Sequence, residues 1–467
     1  MVDYKYKIFT DSLEKNIREG VLKPGYKLPS VRVLKEQYQT SISTIQKGYE
    51  YLMLIGLVES VPKSGYFVAH QQQEPIEAPL KAYPVVRDAV FKQHLGLMSA
   101  QEEERNVSAF NVATPGDVFM PQQLILRTMQ QVIREEGASL LRYYPASGSP
   151  VLKGRIITRA TRHQTYIHEE ALLLTDGALQ ALYIALAAVC EVGDVIAVES
   201  PCVFSVLEVI RMLRLKVVEV PIDLRTGFDI DFFKQACDKN NIKALVVTPN
   251  FNNPTGLSLS NEQKIALIAL VHRYNVALIE NDMYSDLYFQ GERPSLIKRY
   301  DDSGLVLSYG SYAKTLAPGI RLGWLSAGKF MARAEQIKFA LGSSVSPIYQ
   351  ETVSRILAGT AYDRHLRSFR LQLAKNAHFA MHLIADNFPT ETTFVRPQGG
   401  YHLWVRMPDT TDMSAFYALC DQIGVKFTPG SIFSFSGAYD RFFRMIFADR
   451  FSKEKIEAIR LLGRAIR

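Results

Sequence analysis

Apolar residues recur at helical spacing in three short stretches at the start of the chain. Ile8, Leu13 and Ile17 mark the first stripe, which stops at Gly20 before the turn Lys23-Pro24-Gly25. Val31, Leu34 and Tyr38 mark the second, with Ser30 placed to cap it. Ile42, Ile45, Tyr49, Leu52 and Met53 mark the third, which opens near Ser41 and ends at Gly56. Leu57 to Val61 and Tyr66 to Val68 read as two strands around the turn Pro62-Lys63-Ser64-Gly65. Three helices and a hairpin over residues 1–69 predict a winged helix-turn-helix.

The pattern then changes. Residues 70–104 hold the run Gln71-Gln72-Gln73-Glu74-Pro75 and later Pro79, Pro84 and Gly96, which predicts a solvated connector closing in a helix around 85–98. From about 105 onward, short apolar runs alternate with helical patterns. The runs at 172–175, 195–198, 244–248, 276–279 and 305–308 are apolar on both faces. Such runs predict an α/β domain over 105–467, with a mainly parallel sheet covered by helices on both faces. Mixed patterning over about 350–467 predicts a small α+β C-terminal subdomain, with strands near Tyr401 to Val405 and Phe442 to Phe447.

Composition narrows the class. Of 467 residues, 47% are hydrophobic and 22% charged, which excludes a disordered chain, a fibrous repeat and a disulfide scaffold. No apolar run approaches the roughly 20 residues of a membrane helix, and the first residues lack the apolar stretch of a secretory signal. Cys190, Cys202, Cys237 and Cys420 are far apart, without metal-ligand or C-x-x-C spacing. They read as free thiols of a cytoplasmic protein with no metal site. The net charge of +7 permits an acidic partner such as DNA without requiring one.

Candidate chemistry lies just past the strands, where open α/β sheets bind ligands. Thr175-Asp176-Gly177-Ala178 is a glycine turn entering a helix, a place that favours phosphate. Later strand ends carry Asn253, then Asp282 and Tyr284, then Ser311 and Lys314, with Arg321 following. Read singly, each has a bland alternative: a turn, a core tyrosine, a surface lysine. Together they suit pyridoxal 5'-phosphate, which needs an amine, an anion by its pyridine nitrogen, donors at its phenolate oxygen and a phosphate cup.

These motifs resemble known families. NNPTG, ENDMY, SYGSYAKTLAPGIRLGW, PQGGYHLW and FTPGSIFS are similar to those of fold-type I aminotransferases, from roughly Tyr143 to Arg467. LKPGYKLPSVRVL, SISTIQKGYEYL and SGYFV resemble the GntR-type winged helix, and the fusion resembles the MocR subfamily of transcription regulators. The resemblance implies that Lys314 forms a Schiff base with the cofactor, that Asp282 pairs with the pyridine nitrogen, and that Asn253 and Tyr284 hold the phenolate oxygen. It implies that Ser311, Arg321, Gly177, Ala178 and Leu179 hold the phosphate, that Arg444 clamps an effector or substrate carboxylate, and that Tyr144 reaches a neighbouring subunit's cofactor. In the head it implies DNA contacts by Arg32, Ser41, Ser43, Thr44, Gln46, Lys47, Lys63 and Gly65.

Two departures stand out. The ring-stacking aromatic after ESP is replaced by Val203, with Phe204 next, and arginines frequent in the recognition helix are replaced by Ile42 and Gln46. The expectation is a homodimeric, PLP-dependent regulator of transcription that binds double-stranded DNA and senses an amino acid or amine. The alternative is a working aminotransferase of amino acids.

Overall fold

The computed structural model describes residues 7–23, 25–54, 56–61, 65–68, 83–91, 108–342 and 344–466. The chain divides into two compact units, Met1–Pro75 and Ile76–Arg467. Among the described residues no helix is long and apolar enough to cross a membrane.

The first unit holds α1 (Lys7–Arg18), α2 (Val31–Gln37) and α3 (Ile42–Leu54), then the antiparallel pair β1 (Val58–Val61) and β2 (Gly65–Val68). Ser30 caps α2 by accepting from the Val33 amide. Of the stripes predicted from spacing, Ile17, Leu34, Ile45, Tyr49 and Leu52 are buried in one core, which Phe9, outside the predicted stripe, joins; the side chain of Ile8 lies outside the described residues. Tyr49 ties the hairpin to α3 by stacking on Tyr66 at 4.0 Å between ring centres.

The second unit begins at the sheet edge with β3 (Arg87–Asp88), which pairs with a later strand through Arg87 and Val217. The helix expected from residue 85 is therefore not formed over 85–91. Ala89 is buried there, and the open edge offers backbone partners that a solvated helix would not gain. Residues 92–107 lie outside the described residues. Then come β4 (Ser108–Ala109), α4 (Gln122–Glu136), α5 (Pro150–Arg162), β5 (Leu172–Thr175), α6 (Ala178–Val189), β6 (Val195–Ser200), α7 (Phe204–Met212) and β7 (Lys216–Asp223). Next are β8 (Gly227–Phe228), α8 (Ile230–Lys239), β9 (Ile242–Val247), α9 (Asn261–Tyr274), β10 (Ala277–Asn281), β11 (Val306–Ser311) and β12 (Gly323–Ser326). The chain closes with α10 (Met331–Ala340), α11 (Pro347–Ala358), α12 (Ala361–Asn387), β13 (Thr393–Val395), β14 (His402–Arg406), α13 (Met413–Ile423), β15 (Val425–Lys426), β16 (Thr428–Pro429), β17 (Phe442–Ile446) and α14 (Lys453–Ile466).

The large sheet runs β3-β7-β6-β9-β10-β11-β12-β5. Strands β7, β6, β9, β10 and β11 are parallel, and β12 runs against both β11 and β5. Alternation sends neighbouring residues to opposite cores. Ile196, Val246, Ile279 and Leu307 pack under α6, α7 and α10, whereas Ala197, Leu245, Leu278 and Val306 pack under α8 and α9. Burial on both faces is why these strands read as unbroken apolar runs. A second sheet, β13-β14-β17-β16, forms the C-terminal subdomain.

Candidate functional site

The carboxyl ends of β5, β6, β9, β10 and β11 open into one crevice of about 990 Å³. Register decides what faces it. Asn281 on β10 stands opposite Tyr309 on β11, and paired residues of parallel strands share a face. Tyr309, Ser311 two residues on, and Asn281 all line the crevice. Glu280 takes the other face, where it accepts from the Ser308 hydroxyl at 2.6 Å and the Ile297 amide at 2.7 Å.

The turn after β11 brings Lys314 to the crevice wall. Its Nζ donates to the Ala113 carbonyl, which the Tyr401 hydroxyl also reaches at 3.1 Å. Burial, and then the charges of Arg444 and Arg321, push its ammonium down to about 8. Tyr284 and Asn253 face each other 3.5 Å apart, hydroxyl to Nδ2. Burial raises the Tyr284 phenol to about 12, against the opposing pull of Arg444 and Asn253.

Arg444, on β17, is 1% exposed. It donates to the Asn253 Oδ1 at 2.9 Å, the Asn111 carbonyl at 2.6 Å and the Thr428 hydroxyl at 2.9 Å. Burial lowers its guanidinium to about 10, so it remains charged at neutral pH. Phe204 lines the crevice beside Val203, but its ring is turned edge-on to Phe433 at 5.9 Å, with the Arg444 guanidinium 5.8 Å from its centre.

A phosphate-sized cradle closes the other end. Gly177 precedes α6 with φ +84°, and a Cβ there would lie 2.7 Å from the Arg321 Nη2. Arg321 donates from the same Nη2 to the Asp176 carbonyl at 3.1 Å. Ala178 and Leu179 open the helix, whose first amides have no partner within it, and they line the crevice with Ser311 and Arg321. An amine, a phenol with an amide, and a helix N-terminus with a guanidinium and a hydroxyl match the aldehyde, phenolate and phosphate of pyridoxal phosphate in turn.

Asp282 departs from the expected arrangement. It does not line the crevice; its carboxylate lies 2.6 Å from Arg293, which also holds Asp286 at 2.7 Å. One residue past Asn281 the chain has turned its side chain away. Tyr144 also lies outside this chain's crevice and donates to Glu351 at 3.1 Å. Asn281 and Tyr309 escaped sequence reading; the period of two from Ser311 pointed to Tyr309, whereas Asn281 is placed only by the register of β10 against β11.

In the head, Arg32, Ser41, Ser43, Gln46 and Lys47 are exposed and Thr44 is half-buried. Ser41 is engaged within the helix start: its Oγ accepts from the Thr44 amide at 3.1 Å and contacts the Ser43 and Thr44 hydroxyls at 2.8 Å each. It acts as the cap of α3, which removes it from the free groove-reading set. Gly65 is exposed with φ +110°, and Lys63 lies outside the described residues.

Comparison with known proteins accords with both units. Residues 116–460 match the family model for aminotransferase class I and II, and residues 5–68 match that for bacterial regulatory proteins of the gntR family. The chain is 31% identical over 466 residues to the uncharacterised HTH-type transcriptional regulator YjiR of Escherichia coli K12, covering 99% of this chain and 98% of the other. It is 32% identical over 465 residues to the uncharacterised regulator YdcR of the same strain, covering 99% of each. The crystal structure of LysN, an α-aminoadipate aminotransferase of Thermus thermophilus complexed with N-(5'-phosphopyridoxyl)-L-leucine, matches with a TM-score of 0.72. That match is 24% identical and spans 77% of this chain and 92% of the other.

Proposed function

Since the chain belongs to the aminotransferase class I and II family and carries a gntR-family head, the arrangement of the MocR subfamily, we propose that it is a transcription regulator that binds operator DNA and senses pyridoxal phosphate together with an amino acid or amine. The observation that carries this reading is one crevice that gathers Lys314, Tyr284, Asn253, Arg321 and Arg444, in a chain whose head exposes Ser43, Gln46 and Lys47 on one short helix.

When bound, the cofactor supplies an aldehyde for an amino group and a ring that draws electrons from the neighbouring carbon. The residues divide the work. Lys314 offers an amine whose lowered proton affinity leaves a usable free-base fraction near pH 7. Tyr284 and Asn253 would orient the ring through its phenolate oxygen. Ser311, Arg321 and the start of α6 would hold the phosphate, and Arg444 would offer charged N–H groups to a ligand carboxylate by sharing or releasing its bond to Asn253.

A homodimer follows from the reading. One winged helix contacts a short half-site, so an operator of two half-sites calls for two copies. Tyr144, outside its own crevice, would then serve the partner's. Ligand exchange at Lys314 would shift the spacing of the two heads, which requires differential affinity for the two spacings.

The test is selection of genomic fragments by purified protein with and without pyridoxal phosphate, followed by band shifts with added amines. Specific fragments whose affinity changes with cofactor and amine are expected. Identical affinity under all conditions would overturn the sensing role. Robust amino transfer to 2-oxo acids without any preferred fragment would favour the aminotransferase alternative.

A further inference from the structure

The crevice presents an amide where cofactor chemistry calls for an acid. We propose that Asn281, and not Asp282, meets the ring nitrogen of the cofactor and leaves it unprotonated, so that the site retains an amine ligand in place of turning it over. This rests on the cofactor reading above.

Three observations carry it. First, strand register puts Asn281 on the face of Tyr309 and Ser311, which line the same crevice as Lys314. Second, Asn281 is buried and its Oδ1 has no hydrogen-bond partner, a costly state unless a ligand answers it. Third, Asp282 is not free to substitute. Arg293 holds its Oδ2 at 2.6 Å, its side chain does not line the crevice, and its own amide donates to the Tyr309 carbonyl at 2.7 Å, which keeps its backbone in register. A further buried acid, Glu199 on β6, does not line the crevice.

The chemistry follows from charge. An aspartate favours a protonated pyridine by opposite charge. An amide carries no charge, and a half-turn about its Cβ–Cγ bond exchanges the unpartnered Oδ1 for the N–H, which then donates to the lone pair of the unprotonated nitrogen and favours the neutral ring. Arg444, Arg321 and Lys314 line the same crevice and add positive potential that opposes a further cation. For turnover, the Lys314 amine must take the Cα proton of the bound amino acid while the electron pair left behind moves into the ring. A ring without its proton accepts that pair poorly. Exchange of the amine at Lys314 needs no such acceptor and proceeds.

The experiment loads the full-length protein with pyridoxal phosphate labelled with ¹⁵N in the ring and reads the nitrogen chemical shift. The wild type is expected at the unprotonated position, N281D at the protonated one, and D282N unchanged from wild type. Amino transfer from L-alanine and L-glutamate in N281D is expected to rise at least about tenfold. A protonated wild-type nitrogen, or a shift that moves in D282N but not in N281D, overturns the assignment. Because the wild-type spectrum needs no variant to fold, it decides alone. Failure of the labelled cofactor to become fixed by borohydride in the wild type would overturn the cofactor reading and this inference with it; cofactor fixed with a protonated ring would overturn this inference only.

Discussion

The Arg444 guanidinium donates to the Oδ1 of Asn253 across 2.9 Å, and the Nδ2 of that same Asn253 faces the Tyr284 hydroxyl at 3.5 Å. One amide thus couples the carboxylate arm of the crevice to its phenol. A ligand carboxylate that recruits Arg444 must share or break this bond. Arg444→Lys keeps the charge but cannot span Asn253, Asn111 and Thr428 together. We expect affinity for L-alanine to fall about 10- to 100-fold, the equivalent of losing roughly 1.5–3 kcal/mol of charged hydrogen bonding. Ethylamine, without a carboxylate, should lose much less. Equal losses by calorimetric titration of the two would remove Arg444 from carboxylate recognition.

Capture of the aldehyde should follow the titration of Lys314. Its free-base fraction rises with pH through about 8, where an exposed lysine would wait until 10.5. Stopped-flow absorbance with pyridoxal, which lacks the phosphate, should therefore show a rate rising from pH 7 to 9 and levelling above. Arg444→Met removes a charge that lowers the amine, so the same profile should move to higher pH. The sign for stability agrees. Between about 8 and 10.5 the unfolded chain binds more protons at this position than the folded one, so the Lys314 contribution to stability rises with pH in that window and is lost below it. A rate that stays flat until pH 10 would mean that Lys314 keeps an ordinary proton affinity.

Gly177 controls the phosphate end. A methyl group there meets the Arg321 Nη2 at 2.7 Å and requires a left-handed backbone at φ +84°. Gly177→Ala should weaken binding of pyridoxal phosphate about tenfold or more while leaving pyridoxal within a few-fold, as read by equilibrium absorbance titration. If both forms lose alike, the cradle does not hold the phosphate.

How much of this was legible in the sequence depended on the type of position. Lys314, Tyr284 and Asn253 were readable because each follows an apolar strand in a turn of distinctive composition. Asp282 misled because β10 is buried on both faces. A strand with no polar face offers no alternation to show which of two adjacent residues points into the crevice, and one step reverses the answer. Arg293, which draws Asp282 away, lies eleven residues on in a loop that no local pattern links to it. The connector misled for a related reason. A helix was expected around 85–98, but an edge strand at Arg87–Asp88 gave that backbone a tertiary partner. In the head, spacing alone located all three helices, while the engagement of the Ser41 hydroxyl within α3 leaves no mark in the spacing.

The exposed start of α3 yields distinguishable DNA effects. Lys47→Ala should weaken all sequences alike and reduce the slope of log affinity against log salt by about 1. Gln46→Ala should instead relax discrimination at one base pair by roughly 1–3 kcal/mol. Ser41→Ala should cost about 1 kcal/mol of head stability through the lost cap, with little change in sequence preference. Band shifts over a salt series, with single-base operator variants, separate the three. A changed base preference in Ser41→Ala would return that hydroxyl to the groove.

Gly48 tests whether the head core is held by close approach of α1 and α3. Replacing glycine by alanine inside a helix ordinarily stabilises by about 0.5–1 kcal/mol. Here a Cβ would sit 2.1 Å from the Phe9 Cζ and 3.0 Å from the Thr10 Cγ2. Phe9 has little room to yield, since it is buried with its ring 5.8 Å from Tyr38 and 5.9 Å from Tyr49. Overpacking of this kind costs roughly 1–3 kcal/mol and should outweigh the helical gain. Gly48→Ala is therefore expected to lower the melting transition of the head and to weaken operator binding, while borohydride fixation at Lys314 is unaffected. Phe9→Leu shortens the side chain that the methyl group strikes. Combined with Gly48→Ala it should recover part of the loss, so that the two changes together cost less than their sum. A stabilised head in the single Gly48→Ala variant would show that α1 and α3 stand further apart than the Phe9 contact requires.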